Sequence, residues 1–231
     1  MTEKQMIKEM FRLQDELNIH TNGKDWKNKQ IPWYRAIWTE CAEMMEWTDW
    51  KWWKKQDEDY EEIKMELIDI WHFVMSDIMR FMDYSKDEGI TYIEKAFKDE
   101  KVYYNNDLKV GIEDLATCAL AKRTVMITIF TSLCKIVNMS VTDIYKLYLA
   151  KNVLNRFRQD NKYGIGKYIK DWNGKEDNYY VMRYLRKTNN VDNLAELLYT
   201  YLQNEYKKYR DPTKPDPSIK APEYDVVSDM G

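Results

Sequence analysis

An all-α fold is predicted by three features of this sequence: apolar side chains recur at three- and four-residue spacing along most of its length, strand-like alternation of useful length is absent, and helix breakers are scarce. Only 7 glycines and 5 prolines occur in 231 residues, and four of the prolines, Pro212, Pro215, Pro217 and Pro222, fall in the last twenty positions. Glycine weakens a helix through backbone entropy, and proline breaks it through a missing N–H and a ring clash. A body that avoids both, followed by a stretch that does not, divides into one helical domain at 1–208 and an extended, flexible tail at 209–231.

The elements follow in order. Residues 2 to 19 set Met6, Met10, Leu13 and Leu17 on one face of an amphipathic helix, which Thr21, Asn22 and Gly23 terminate. A second helix runs from Trp33 to about Trp47 behind Pro32, and a tryptophan-rich connector from Trp50 to Trp53 leads to a third over 59 to 83. After a loop near Tyr84 to Gly89, helical periodicity resumes at Ile90 to Phe97 and continues over 109 to 137, 140 to 158 and 191 to 208. Residues 159 to 178 are polar, lysine-rich and glycine-containing, the composition of a ligand-organised loop rather than of core.

Composition excludes several classes. With 44% hydrophobic residues the chain buries a sizeable core without staples. Thirty-six Lys and Arg against 39 Asp and Glu leave a formal charge of -3, so nothing draws the chain toward nucleic acid or an anionic membrane, and phosphate recognition must be local. Cys41, Cys118 and Cys134 are odd in number and widely spaced, which fits a reducing cytoplasm better than a disulfide framework or a zinc site. The charged N-terminus lacks the apolar stretch of a signal peptide, and the longest apolar run, Val125 to Val137, is too short to span a bilayer. Gly164 and Gly166 lack the Lys-Ser/Thr ending and the preceding strand of a phosphate-binding P-loop.

The third helix carries the chemistry. Ile63 to Met82 is apolar around most of its circumference, so it is expected to be buried on nearly all sides, yet Glu66, Asp69, His72 or Phe73, and Ser76 draw a narrow polar stripe down it. A buried carboxylate is costly unless paired or metal-bound. Glu40 and Glu43 repeat the same three-residue spacing on the second helix. Two such helices side by side converge four carboxylates into a hard, oxygen-rich site suited to magnesium or manganese bridging the phosphates of a substrate. Taken alone, the first pair also reads as a solvated helix face, and it takes its meaning from the second. A di-iron carboxylate site is excluded because it wants two Glu-x-x-His pairs, and the chain has only His20 and His72. Farther on, Lys151, Arg156, Arg158, Lys162, Lys167, Lys170 and Lys175, with Asn152 and Asn155, form a segment that reads either as a phosphate clamp or as a solvated basic stretch.

The runs LQDELN, TNG, ECAE, WKWWK, ELIDIWHF and KNVLNRFRQ, leading to WNGKEDN, resemble in order and spacing the dimeric all-α dUTPases, relatives of the dCTPases and MazG-type enzymes among the helical nucleoside triphosphate pyrophosphohydrolases. The resemblance covers residues 10 to about 180. It implies a multi-helix bundle of that type, a homodimer, and Mg-dependent hydrolysis of dUTP, and of dUDP, to dUMP with attack at the β-phosphorus. It implies that Glu40, Glu43, Glu66 and Asp69 hold two or more magnesium ions, with Glu43 handling the attacking water. It further implies that Gln14 and Asn18 read the uracil edge, that Trp50 or Trp53 packs near the base and that His72 approaches the sugar or base. Lys151, Asn155, Arg158, Tyr163 and loop cations such as Lys167 and Lys170 would bind the phosphates. One departure stands out. Where the family commonly shows Arg-Gln, two residues, then Gly-Tyr-Lys, this chain has Lys162, Tyr163 and Gly164, so glycine and lysine are exchanged. Two alternatives stay open: a pyrophosphatase for dCTP and dUTP or for a modified deoxypyrimidine triphosphate, and a non-catalytic helical module whose exposed partner-binding element would be the Tyr-rich helix Tyr199 to Tyr209.

Overall fold

The computed structural model describes residues 1–99, 107–188 and 193–209. Among these, nine α-helices and no strand occur: α1 (Glu3–Asn22), α2 (Trp33–Glu46), α3 (Tyr60–Ile78), α4 (Asp87–Lys98), α5 (Leu108–Lys122), α6 (Ile127–Ile136), α7 (Val141–Asp160), α8 (Asp177–Leu185) and α9 (Leu194–Tyr209). Short 3-10 turns sit at Trp26–Asn28 and Tyr163–Ile165. The all-α prediction holds. The proposed tail from residue 210 onward lies outside the described residues, and Tyr209 still belongs to α9.

Local chemistry sets the helix ends. Thr2 and Gln5 form a capping box at α1, and Ser140 and Asp143 form another at α7. Asp59 caps α3 by accepting from the backbone N–H groups of Glu61 and Glu62. Gly23, at φ 87, closes α1 with its N–H on the carbonyl of Ile19.

Three expectations need correction. The segment read as one helix over 109 to 137 is two, because Arg123 takes a left-handed conformation at φ 56 and reverses the chain between α5 and α6. Helix α8 occupies a stretch assigned no element. The Tyr-rich helix α9 is not an exposed face: Tyr206 and Tyr209 are buried with Leu194, Leu198 and Leu202.

Two apolar cores result, and α7 runs through both. The first, from α1 to the start of α7, is centred on Trp71, whose ring stacks on Phe130 at 4.9 Å and meets Phe11 and Phe97 edge-on. The second gathers Leu154, Phe157, Tyr168, Trp172, Tyr180 and Tyr206 from the end of α7, the following loop, α8 and α9. Aromatic edge-to-face packing contributes about 0.5–1.5 kcal/mol per pair beyond area burial. The lysine-rich loop is therefore anchored by Tyr168 and Trp172, while its cations stay at the surface. Helix α3 packs against α1, α2, α6 and α7, which makes it the central rod. No single helix among the described residues is long and apolar enough to cross a membrane. The three cysteines are free and buried, and burial pushes the Cys41 thiol up to about 12, so it stays protonated.

Candidate active site

A cleft of about 970 Å³ opens between α1, α2, α3 and α7 and the loop leading to α8. Its acidic wall comes from two helices. Glu40 and Glu43 project from α2, one turn apart, and Glu66 from α3, and each offers a carboxylate oxygen within 4.8 Å of the others. Glu43 is exposed, whereas Glu40 and Glu66 are half-buried. Burial first, and then the neighbouring carboxylates, raise Glu40 to about 8 and Glu66 to about 7. Such a set, oxygen-only and mutually repelling, fits a hard divalent cation, which would relieve the repulsion that protons otherwise relieve.

The fourth carboxylate, Asp69, stands apart from this trio. Its Oδ2 lies 2.7 Å from Nζ of Lys151 on α7, and Lys151 also donates to Oδ1 of Asn178 at 2.9 Å. Asp69 still bears on the cluster, because its charge helps to raise both Glu40 and Glu66.

A second wall is basic and amidic. Lys151, Asn155, Arg158, Tyr163, Lys170 and Lys175 all line the cleft. Arg158 forks onto Asp177, with Nε 2.8 Å from Oδ2 and the NH2 nitrogen 2.7 Å from Oδ1, and Tyr168 donates to the same carboxylate at 2.8 Å. Burial opposes the charge on both partners, yet the fork holds Arg158 above its ordinary pKa and Asp177 below its own.

The inner end of the cleft is a buried polar network. Gln14, Asn18, His72 and Ser76 meet there with Tyr148 and Asn152 of α7, joined by six hydrogen bonds among side chains. His72 tilts over Tyr148 at 4.6 Å between ring centroids. Burial drives its pKa down to about 4, so the ring is neutral, and its Nε2 is buried without a hydrogen-bond partner among the described residues.

Most of the expected site residues converge on this one cleft: Gln14, Asn18, Glu40, Glu43, Glu66, Asp69, His72, Lys151, Asn155, Arg158, Tyr163 and Lys170. Trp50, Trp53 and Lys167 do not line it. Trp50 and Trp53 pack edge-on against each other in the connector, with Trp53 57% exposed. Two other tryptophans line the cleft instead. Trp47 donates from Nε1 to Glu66 at 3.3 Å, and Trp33, stacked on Phe73 at 6.2 Å, has a buried Nε1 without a partner. Asn178 and Tyr179 at the start of α8, together with Glu62, also line it and were not anticipated, and so does Glu46, whose place in the α2 series suggests only a solvated or capping role. The periodicity of α2 does continue from Glu43 to Glu46, which the structure pairs with Lys51.

A family model described as dUTPase matches residues 6–163, more than half of the chain, a span that takes in the whole acidic wall, the inner polar network and the α7 part of the basic wall. No curated protein matches the chain. The helical architecture, the convergent carboxylates and this match agree: the chain belongs to the all-α dUTPase family, whose activity is dUTP diphosphatase.

Proposed function

We propose that the chain hydrolyses dUTP to dUMP and pyrophosphate, and dUDP to dUMP and phosphate, with Mg2+ held at the acidic wall and Glu43 as general base. The observation that carries this reading is that one cleft of about 970 Å³ is lined both by the carboxylates Glu40, Glu43 and Glu66 and by the cations Lys151, Arg158, Lys170 and Lys175. When bound, magnesium or manganese would offset the charge of the polyphosphate and acidify the attacking water.

The protein's own groups divide the remaining work. Glu40 and Glu66 are held as ligands by their half-buried setting, with Glu66 further oriented by the indole N–H of Trp47. Glu43 is exposed to the cleft and makes no hydrogen bond or ion pair among the described residues, which leaves its oxygens available to take the proton of a water attacking the β-phosphorus. Lys151 holds Asp69 in place and, with Arg158 and the loop lysines, supplies cationic donors for phosphate oxygens. The nucleoside then falls toward Gln14, Asn18, His72 and Trp33. Burial keeps His72 neutral even though Asp69, one turn away on α3, favours its charged form, so it acts there as a hydrogen-bonding group rather than a charge. The reading extends to a cytoplasmic homodimer, supported by free buried thiols and by exposed apolar residues Val110, Leu120 and Met126 along α5 and the turn after it.

Pyrophosphate release from dUTP, measured with Mg2+ and with chelator, tests the activity. Glu43→Gln is expected to bind nucleotide and to lose turnover by about 100-fold or more. Normal turnover in that variant would remove Glu43 as the base.

A further inference from the structure

Ser76 lies one turn beyond His72 on α3, is fully buried, and has no part in the steps just described. Its hydroxyl is nonetheless fully engaged. Oγ donates to the backbone carbonyl of His72 at 2.8 Å, and accepts from Nε2 of Gln14 at 3.1 Å and Nδ2 of Asn18 at 2.9 Å. A backbone carbonyl can only accept, so the single hydroxyl hydrogen belongs to that bond and both lone pairs are left to face N–H groups. The amides of Gln14 and Asn18 therefore have one allowed polarity. Turned over, either would set its own oxygen against a lone pair of Ser76.

The far side accommodates that polarity without fixing it, because the Tyr148 hydroxyl, the Asn152 amide and the His72 tautomer can each turn to suit. The Tyr148 hydroxyl accepts from Nδ2 of Asn152 at 3.2 Å and donates to Oε1 of Gln14 at 3.2 Å, and His72 Nδ1 lies 2.6 Å from that same oxygen. Gln14 Nε2 also donates to Oδ1 of Asn18 at 3.1 Å. Gln14 thus uses both N–H groups and both lone pairs inside the protein and has nothing left for a ligand. Asn18 uses one N–H and one lone pair and keeps one of each at the edge of the cleft.

We infer that Ser76 is a positioning residue that sets the choice of pyrimidine: by fixing the polarity of the Asn18 amide, it matches the site to a 4-oxo base edge and mismatches it to a 4-amino one. The inference rests on the reading that Asn18 meets the base. Uracil offers an N3–H donor beside an O4 acceptor, and cytosine offers the reverse, an N3 acceptor beside an amino donor. An amide free to turn over serves both edges. A locked amide serves one, and the buried setting makes the mismatch expensive because the unpaired groups cannot return to water. Family activity on dUTP identifies which edge the locked orientation matches.

The ratio of kcat/KM for dUTP to that for dCTP tests this in the full-length protein with Mg2+, across wild type, Ser76→Ala, Ser76→Thr and Asn18→Ala. Both substrates meet the same preparation, so the ratio is independent of the folded fraction, and a purely structural role for Ser76 would leave it unmoved. Ser76→Ala is expected to lower the ratio about tenfold or more, and Ser76→Thr, which keeps the hydroxyl, to stay close to wild type. Should the alanine variant not fold, Ser76→Cys, a weaker acceptor of similar volume, is expected to lower the ratio in the same direction. An unchanged ratio in the Ser76 variants with a changed one in Asn18→Ala overturns the inference and leaves base recognition by Asn18 standing. A ratio unmoved in all of them removes that recognition and the inference together.

Discussion

The ammonium of Lys151 sits 2.7 Å from a carboxylate oxygen of Asp69, and the two side chains differ sharply in access to water, at 2% and 20% exposure. A lysine so enclosed depends on its partner, because an unpaired buried ammonium has no route back to solvent. Asp69→Asn should cost the metal-free protein about 3 kcal/mol in urea unfolding. Glu43→Gln, at an exposed position one carboxylate among three, should change stability by less than about 0.5 kcal/mol. Similar stability for the two variants would mean that Lys151 is held by Asn178 alone. The contrast also separates two kinds of acidic residue that look alike as motifs.

Acidity at the cluster links the metal to pH. Glu40 at about 8 and Glu66 at about 7 hold their protons more tightly in the folded protein than the ordinary carboxylate value of 4.5 implies. Their contribution to stability is therefore fully present below about pH 4.5 and is lost as pH rises through about 7 and 8. A divalent cation held by these carboxylates would reverse the sign, since it would bind their ionised form. In chelator the melting temperature should fall between about pH 5 and about pH 8.5, and Mg2+ should restore it mainly at the alkaline end. A magnesium shift of equal size across that range would sink the idea that these two carboxylates are the ligands. A Glu40→Gln, Glu66→Gln double variant should show neither trend.

How far the sequence shows this depends on whether a feature is local. The stripe of Glu66, Asp69, His72 and Ser76 is legible because polar residues at helical spacing stand out on an apolar rod, and the structure brings the first three to one cleft, with Ser76 buried behind it and hydrogen-bonded to Gln14 and Asn18. What Asp69 faces was not legible, because Lys151 arrives from a helix more than eighty residues away. The tryptophans misled for a related reason. A dense Trp50 to Trp53 run attracts attention, but the connector is closed by the N–H of Asp59 on the carbonyl of Trp47, and Trp33 and Trp47 reach the cleft instead. The break between α5 and α6 has no glycine to announce it, since Arg123 itself takes the left-handed turn. Helix α8 escaped notice because it follows directly on a polar loop, and its burial comes from Trp172 and α9 rather than from its own pattern.

Lys162 offers a test of the exchanged glycine. It takes a left-handed conformation, φ 70 and ψ 33, just before the turn at Tyr163–Ile165, at the place where the family resemblance expects glycine. That region costs a side-chain-bearing residue about 1 kcal/mol. Lys162→Gly should therefore stabilise the protein by up to about 1 kcal/mol, reduced by the greater freedom of glycine in the unfolded chain. Lys162 does not line the cleft, so KM for dUTP should stay within about twofold, whereas Lys170→Ala and Lys175→Ala should raise it. A large rise in KM for Lys162→Gly would instead place this lysine on the phosphates.

Arg158 has two duties that can be separated by where its nitrogens go. Nε and one terminal nitrogen fork onto Asp177, which is 0% exposed and also accepts from Tyr168, while the other terminal nitrogen reaches Asn155 at 3.4 Å beside the cleft. The fork fastens α7 to the start of α8, and so positions the basic loop between them. Asp177→Asn leaves the guanidinium without its counter-charge and should cost about 3–5 kcal/mol of stability. Because the donor toward the cleft survives, KM of the folded fraction should change by less than about threefold. Arg158→Lys removes both the fork and that donor. It should lower stability and also raise KM for dUTP by about tenfold, a split read from urea unfolding beside steady-state kinetics. Parallel changes in KM for both variants would show that Arg158 acts only through the placement of the loop.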